Sequence, residues 1–100
     1  MCLNILYSSV PVITPHIIVK YTYVEDAASK RAPHRSDHLA LARRYKDSGS
    51  IVMGGALADM SGANIVFRSQ QEAEQFVKED PYVLHGVVSD YQMMEWSVVV

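Results

Sequence analysis

Apolar and polar positions alternate in a way that divides the chain into six segments. His16–Val24 (HIIVKYTYV) places Ile17, Val19, Tyr21 and Tyr23 on one face and Ile18, Lys20, Thr22 and Val24 on the other. Period-two alternation of β-branched and aromatic residues predicts a strand, here with one fully apolar and one mixed face. Glu25–Lys30 reads as a polar connection. Arg31–Ser48 then switches to helical spacing, with Leu41, Ala42 and Tyr45 on one stripe that His38 continues backwards. Pro33 suits the first turn, Lys46 complements the helix dipole near the end, and Gly49 is a natural stop.

Ser50–Leu57 (SIVMGGAL) predicts a second strand interrupted by Gly54-Gly55, and Ala63–Arg68 (ANIVFR) a third, joined to it by the turn Ala58–Gly62. Paired glycines inside a strand mark either a bulge or a place where a ligand approaches the backbone. Ser69–Glu79 predicts the second helix. Ser69 and Glu72 have capping-box spacing, and Ala73, Phe76 and Val77 supply the buried stripe. Asp80-Pro81 ends it, because the residue before proline avoids the helical region. Tyr82–Gly86 reads as a connector, and Asp90–Val100 as a last strand.

The order is βαββαβ, which predicts an α+β domain: a four-stranded antiparallel sheet with both helices on one face. The opposite sheet face is left bare and is too apolar to remain in water, so a homodimer formed sheet to sheet is expected. Residues 1–15 (MCLNILYSSVPVITP) are expected to lie outside this domain as an N-terminal extension, with residues 16–100 forming the domain itself.

Composition narrows the function. The chain has 100 residues and a formal net charge of −2, with no basic run, so the electrostatic footprint of a nucleic-acid binder is missing. No apolar run approaches the roughly 20 residues a membrane span requires. Cys2 is the single cysteine, which excludes an internal disulfide. A cytoplasmic location is expected, with import into an organelle left open by the apolar start.

The candidate chemistry lies on the first helix. Arg31, His34, Arg35 and His38 have the spacing of one helical strip. A histidine bordering a cleft can act as a general base near neutral pH, and Arg31 or Arg35 can grip an anionic substrate with a bidentate fork. The alternative for His38 is a satisfied, half-buried histidine bonded to a backbone carbonyl. For Asp80 it is a residue that fixes the Asp-Pro turn. His34 and His38 are four residues apart, a zinc-compatible spacing, but no third ligand accompanies them and no metal is expected. His16 and His85 are isolated, and solvent-facing positions are expected for both. Tyr21, Tyr23 and Trp96 read as core or interface packing. No phosphate-cradling or dinucleotide pattern is present, so no cofactor is expected.

Several segments, in this order, resemble the YCII-related (YciI-like) family: Lys30-Arg31 after the first strand, Arg35-Ser36-Asp37-His38-Leu39, Gly54-Gly55-Ala56-Leu57, Glu72-Ala73, Asp80-Pro81-Tyr82-Val83, Gly86-Val87 and Glu95-Trp96. The resemblance implies a ferredoxin-like fold that dimerises into an α+β barrel. It implies a pocket between helices and sheet in which a histidine and an aspartate form the functional pair, His38 and Asp80 by position. The turn Asp59–Gly62 departs from many members, which carry a longer loop there, and leaves the pocket more open. Arg31 and Arg35 as anion grips, and Gly54 and Gly55 as a place where a ligand approaches the backbone, are the substrate-binding candidates from their own chemistry. Two functions follow. One is a small-molecule enzyme of lyase or isomerase type working by His/Asp proton transfer. The other is a non-catalytic dimeric module that binds a metabolite or regulates.

Overall fold

The computed structural model describes residues 13–100. Most of the expected N-terminal extension therefore lies outside the described residues. The elements are β1 (Thr14–Tyr23), α1 (Ala27–Arg31), a 3₁₀ turn (Ala32–His34), α2 (Arg35–Asp47), β2 (Ile51–Ala56), β3 (Gly62–Phe67), α3 (Gln70–Glu79), α4 (Pro81–Leu84) and β4 (Val88–Val98). The strands form one antiparallel sheet of order β2-β3-β1-β4. The apolar face of β1 (Ile17, Val19, Tyr21, Tyr23) is buried together with Ile65 and Phe67 of β3, Leu41 of α2, and Phe76 and Val77 of α3. Both long helices therefore pack on the same side, as the βαββαβ order predicts.

Several boundaries differ from expectation, each for a local reason. The stretch expected as a polar connection contains α1, because Ala27 is buried and the Asp26 carbonyl accepts from the Ser29 and Lys30 amides. The helix expected to start at Arg31 starts at Arg35. Pro33 has no N–H to give, and the chain takes a 3₁₀ turn there. Thr14 and Pro15, expected in the extension, belong to β1, because β4 runs far enough to pair them with Val98 and Ser97. The capping box is half formed: Ser69 Oγ accepts from the Glu72 amide at 3.3 Å, whereas Glu72 Oε2 is buried with no partner. The connector after Asp80 contains the helical turn α4. His16, expected in solvent, is 8% exposed, and its Nδ1 lies 3.0 Å from the Thr14 carbonyl oxygen. The irregularity in β2 falls between Ile51 and Met53; Gly54 and Gly55 pair regularly with Ile65 and Asn64, so they form no bulge.

On the sheet face away from the helices, Met53, Val66, Ile18 and Met94 stand directly opposite one another across all four strands. The row is apolar from edge to edge.

Gly62 starts β3 where the strand passes closest to β1. A Cβ at this position would overlap the Tyr21 carbonyl oxygen, which is backbone and cannot move aside. Gly62→Ala is expected to destabilise the fold by about 1–3 kcal/mol. Urea denaturation of the variant beside the wild type measures it, and an unchanged midpoint would contradict the tight approach.

Candidate active site

Asp80 is at the joint between two helices. Pro81 forces the preceding residue out of the helical region, so Asp80 is extended (φ −67°, ψ 118°), ending α3 and capping α4. This turns its carboxylate into the interior, where Asp80 is fully buried. A buried carboxylate is tolerated only when its oxygens are bonded. Here both are. Oδ1 accepts from the Tyr82 amide at 3.0 Å and meets His38 Nδ1 at 2.7 Å; Oδ2 accepts from the Tyr21 hydroxyl at 2.7 Å.

An ionised carboxylate only accepts. With Asp80 ionised, His38 Nδ1 is the donor, and the neutral ring carries its lone pair on Nε2. The ring is held on two sides. It stacks on Tyr82 with centroids 3.7 Å apart and planes 3° apart, and it meets Phe76 edge-on at 6.3 Å. The His38 side chain is 12% exposed and borders a cleft of about 450 Å³. Nδ1 is turned to the core, so the ring edge that reaches the cleft is the one bearing Nε2.

The cleft runs between α2 and the β2–β3 hairpin. From β2 and β3 it is lined by Ile51 and Ile65 together with the small residues Gly54, Gly55, Ala56 and Ala63. At Gly54 a Cβ would come within 3.2 Å of Ile65 Cγ2, whereas at Gly55 it would meet nothing within 4 Å. Its α2 wall carries Arg35, Arg43 and Lys46 with one acid, Asp47, and Arg31 adds a fourth cation. The cleft therefore favours anions.

Arg31, Arg35, His38, Gly54 and Gly55 thus all border one cleft, with Asp80 directly behind His38. His34 does not join them. It stacks on His85, with centroids 4.0 Å apart, so His85 is exposed but not isolated. Among the described residues no group of three His, Cys, Asp or Glu side chains is arranged to hold a metal ion, and no helix is long and apolar enough to cross a membrane.

Of the two tyrosines read as packing, Tyr21 also binds Asp80, while Tyr23 lines the cleft and meets Tyr82, from the stretch read as a connector, edge to face at 6.1 Å. The rule that a buried tyrosine hydroxyl seeks a partner could have flagged Tyr21, but not named Asp80, 59 residues away. Burial, reinforced by the Asp80 charge, holds the Tyr21 hydroxyl far above the ordinary tyrosine range. Burial also raises Tyr82, against the opposing charge of Arg31. Tyr23 is pushed up to about 12, chiefly by burial.

A phenol whose pKa is raised by folding stabilises the fold while it keeps its proton. That contribution is complete below the unfolded value of 10.0 and is lost as pH rises toward about 12. Tyr23 alone should steepen the loss of stability in that window by up to about 1.4 kcal/mol per pH unit. Urea midpoints measured across it should fall less steeply in Tyr23→Phe than in the wild type; parallel slopes would contradict the shift.

Comparison with known proteins agrees with this architecture. No curated protein is significantly similar in sequence. Among solved structures, 5-chloro-2-hydroxyhydroquinone dehydrochlorinase from Burkholderia phenoliruptrix AC1100, in complex with 2,5-dihydroxybenzoquinone, superposes with a TM-score of 0.69 at 21% identity. The match covers 81% of this chain and 92% of that one, and it shows a shared fold. The YCII-related domain family matches residues 16–97, which spans every strand and helix from β1 into β4, and the chain belongs to that family.

Proposed function

We propose that the protein is a small-molecule enzyme of lyase or isomerase type, acting by proton transfer on a compact anionic substrate. The observation that carries this reading is the 2.7 Å contact between His38 Nδ1 and a fully buried, otherwise bonded Asp80, behind a ring that borders an arginine-lined cleft. In the proposed step His38 Nε2 removes a proton from the substrate. Asp80 holds the ring in the required tautomer and stabilises the imidazolium that forms. Arg31 and Arg35 bind the anion. In an elimination the bonding electrons released by the lost proton form the new double bond as the leaving group departs with its pair. The imidazolium then returns its proton to solvent or to the leaving group. No oxidant or reductant is needed.

The dehydrochlorinase named above acts on a hydroxylated ring, and its complex holds a dihydroxybenzoquinone. Hydroxylated ring compounds that ionise to phenolates are the substrate class we extend to this chain. Such molecules are planar, anionic and smaller than the cleft.

His38→Ala should cost stability, because it removes one of the three donors to Asp80, yet keep the fold through the Tyr82 amide and the Tyr21 hydroxyl, and should lower turnover of a responsive hydroxylated-ring substrate by about 10²–10⁴-fold. A panel of such compounds, including 2,5-dihydroxybenzoquinone, assayed by thermal shift and by turnover provides the test. Binding that raises the melting temperature with no His38-dependent turnover of any member would leave the non-catalytic binding module as the function.

We also infer that a second copy of this chain covers the sheet face bearing Met53, Val66, Ile18 and Met94. A row continuous across four strands is self-complementary under a twofold axis. Sedimentation velocity at micromolar concentration should show a dimer, and Met94→Glu should shift it toward monomer. A wild-type monomer under those conditions would refute the interface.

A further inference from the structure

We propose that Tyr21 is a positioning residue of this site: its hydroxyl, bonded to Asp80 Oδ2, fixes which nitrogen of His38 carries the proton. Tyr21 lies on the helix-facing side of β1, 4% exposed, among Val19, Tyr23 and Phe76. Aromatic packing there would be served as well by phenylalanine. Among the described residues, the one hydrogen-bond partner of its hydroxyl is Asp80, at 2.7 Å.

Asp80 has two oxygens and three donors. Tyr82 N–H and His38 share Oδ1, which leaves Tyr21 alone on Oδ2. Hydrogen bonds to the charged form of a carboxylate favour that form. Tyr21 therefore bonds to the carboxylate in its acceptor-only form, and that form holds the imidazole proton on Nδ1. Without the hydroxyl, Oδ2 faces an apolar core with no partner, and the buried oxygen is satisfied only by carrying a proton itself or by a full charge on the ring beside it. Either arrangement holds one more proton, taken from solvent. The Asp80–His38 unit becomes either a carboxylic acid donating to Nδ1 with the ring protonated at Nε2, or a carboxylate paired with an imidazolium. Both states place a proton on Nε2, the atom that must be bare to act as a base. The structural claim stands without catalysis; its effect on rate rests on the function proposed above.

The test is ¹⁵N NMR of the histidine rings, with His38 assigned by its loss in His38→Ala. In the wild type at mildly alkaline pH, His38 should show a protonated Nδ1 and an unprotonated Nε2. In Tyr21→Phe at the same pH, the Nε2 signal should move toward the protonated position. Val19→Ala, a cavity two residues along on the same face, should leave it unchanged despite its own loss of stability. If turnover is found, Tyr21→Phe should lower kcat about tenfold and leave KM within about twofold, the pattern of a group that acts only after binding. An Nε2 signal identical in wild type and Tyr21→Phe would overturn the proposal, as would a wild-type ring protonated at Nε2 with Nδ1 bare. Should Tyr21→Phe fail to fold, the wild-type spectrum still decides. The Tyr21 hydroxyl proton should then appear as a slowly exchanging downfield resonance, and its absence would overturn the assignment. Absence of turnover with the ¹⁵N shifts as expected would remove the enzyme reading and leave the positioning role intact.

Discussion

A carboxylate with no exposure to water organises the centre of this protein. Asp80 is fully buried, and a charge in that position demands partners that the surrounding elements must supply. α4 gives an amide, β1 gives a hydroxyl and α2 gives an imidazole. The demand ties together the sheet, the first long helix and the joint after the second. Loss of any one donor would leave charge stranded in an apolar setting, so these contacts set the relative positions of the three elements as well as the chemistry at their meeting point.

The cleft follows from a mismatch between its two walls. α2 packs on the sheet through Leu41, with Ala42 and Tyr45 against the core, while the β2–β3 hairpin places Gly54, Ala56 and Ala63 beside Ile51 and Ile65 beneath it. The small residues do not fill the space below the helix. What remains is lined by cations along α2 and by the exposed edge of His38. Gly54 is sterically useful, since Ile65 stands close to where its side chain would be. Gly55 has open space around it, so packing does not account for glycine there.

His34 at the end of the 3₁₀ turn and His38 in α2 are four residues apart with different settings. His38 faces the core and finds Asp80 and Tyr82. His34, a turn earlier, stacks on exposed His85. The two parallel ring pairs lie between the same two segments, so the chain from His34 into α2 and the chain from Tyr82 to His85 meet through rings. The geometry at His38 is thereby held from the side by Tyr82 and from behind by Asp80.

Local physics determined much of this in advance. Alternation at 16–24, helical spacing at 38–45, the Ser69 cap, the Asp80-Pro81 stop and Gly49 (φ +85°) each depend on near neighbours, so the six main elements and their order were legible. The pairing of His38 with Asp80 was expected from the resemblance to the YCII-related family, and the βαββαβ order with both helices on one face is compatible with it. Short-range competition shifted the details: Pro33 delayed α2, and Ala27 found burial in a stretch that read as polar. What the sequence could not determine was decided by contacts distant along the chain. The bond from Tyr21 to Asp80 spans 59 residues, and Tyr82 becomes the platform under His38 only when two helices are packed. The burial of His16 belongs to the same class. Periodicity reports which face a residue occupies; it carries no information about which polar atom waits on the element opposite, because that depends on how the elements are set against one another in three dimensions.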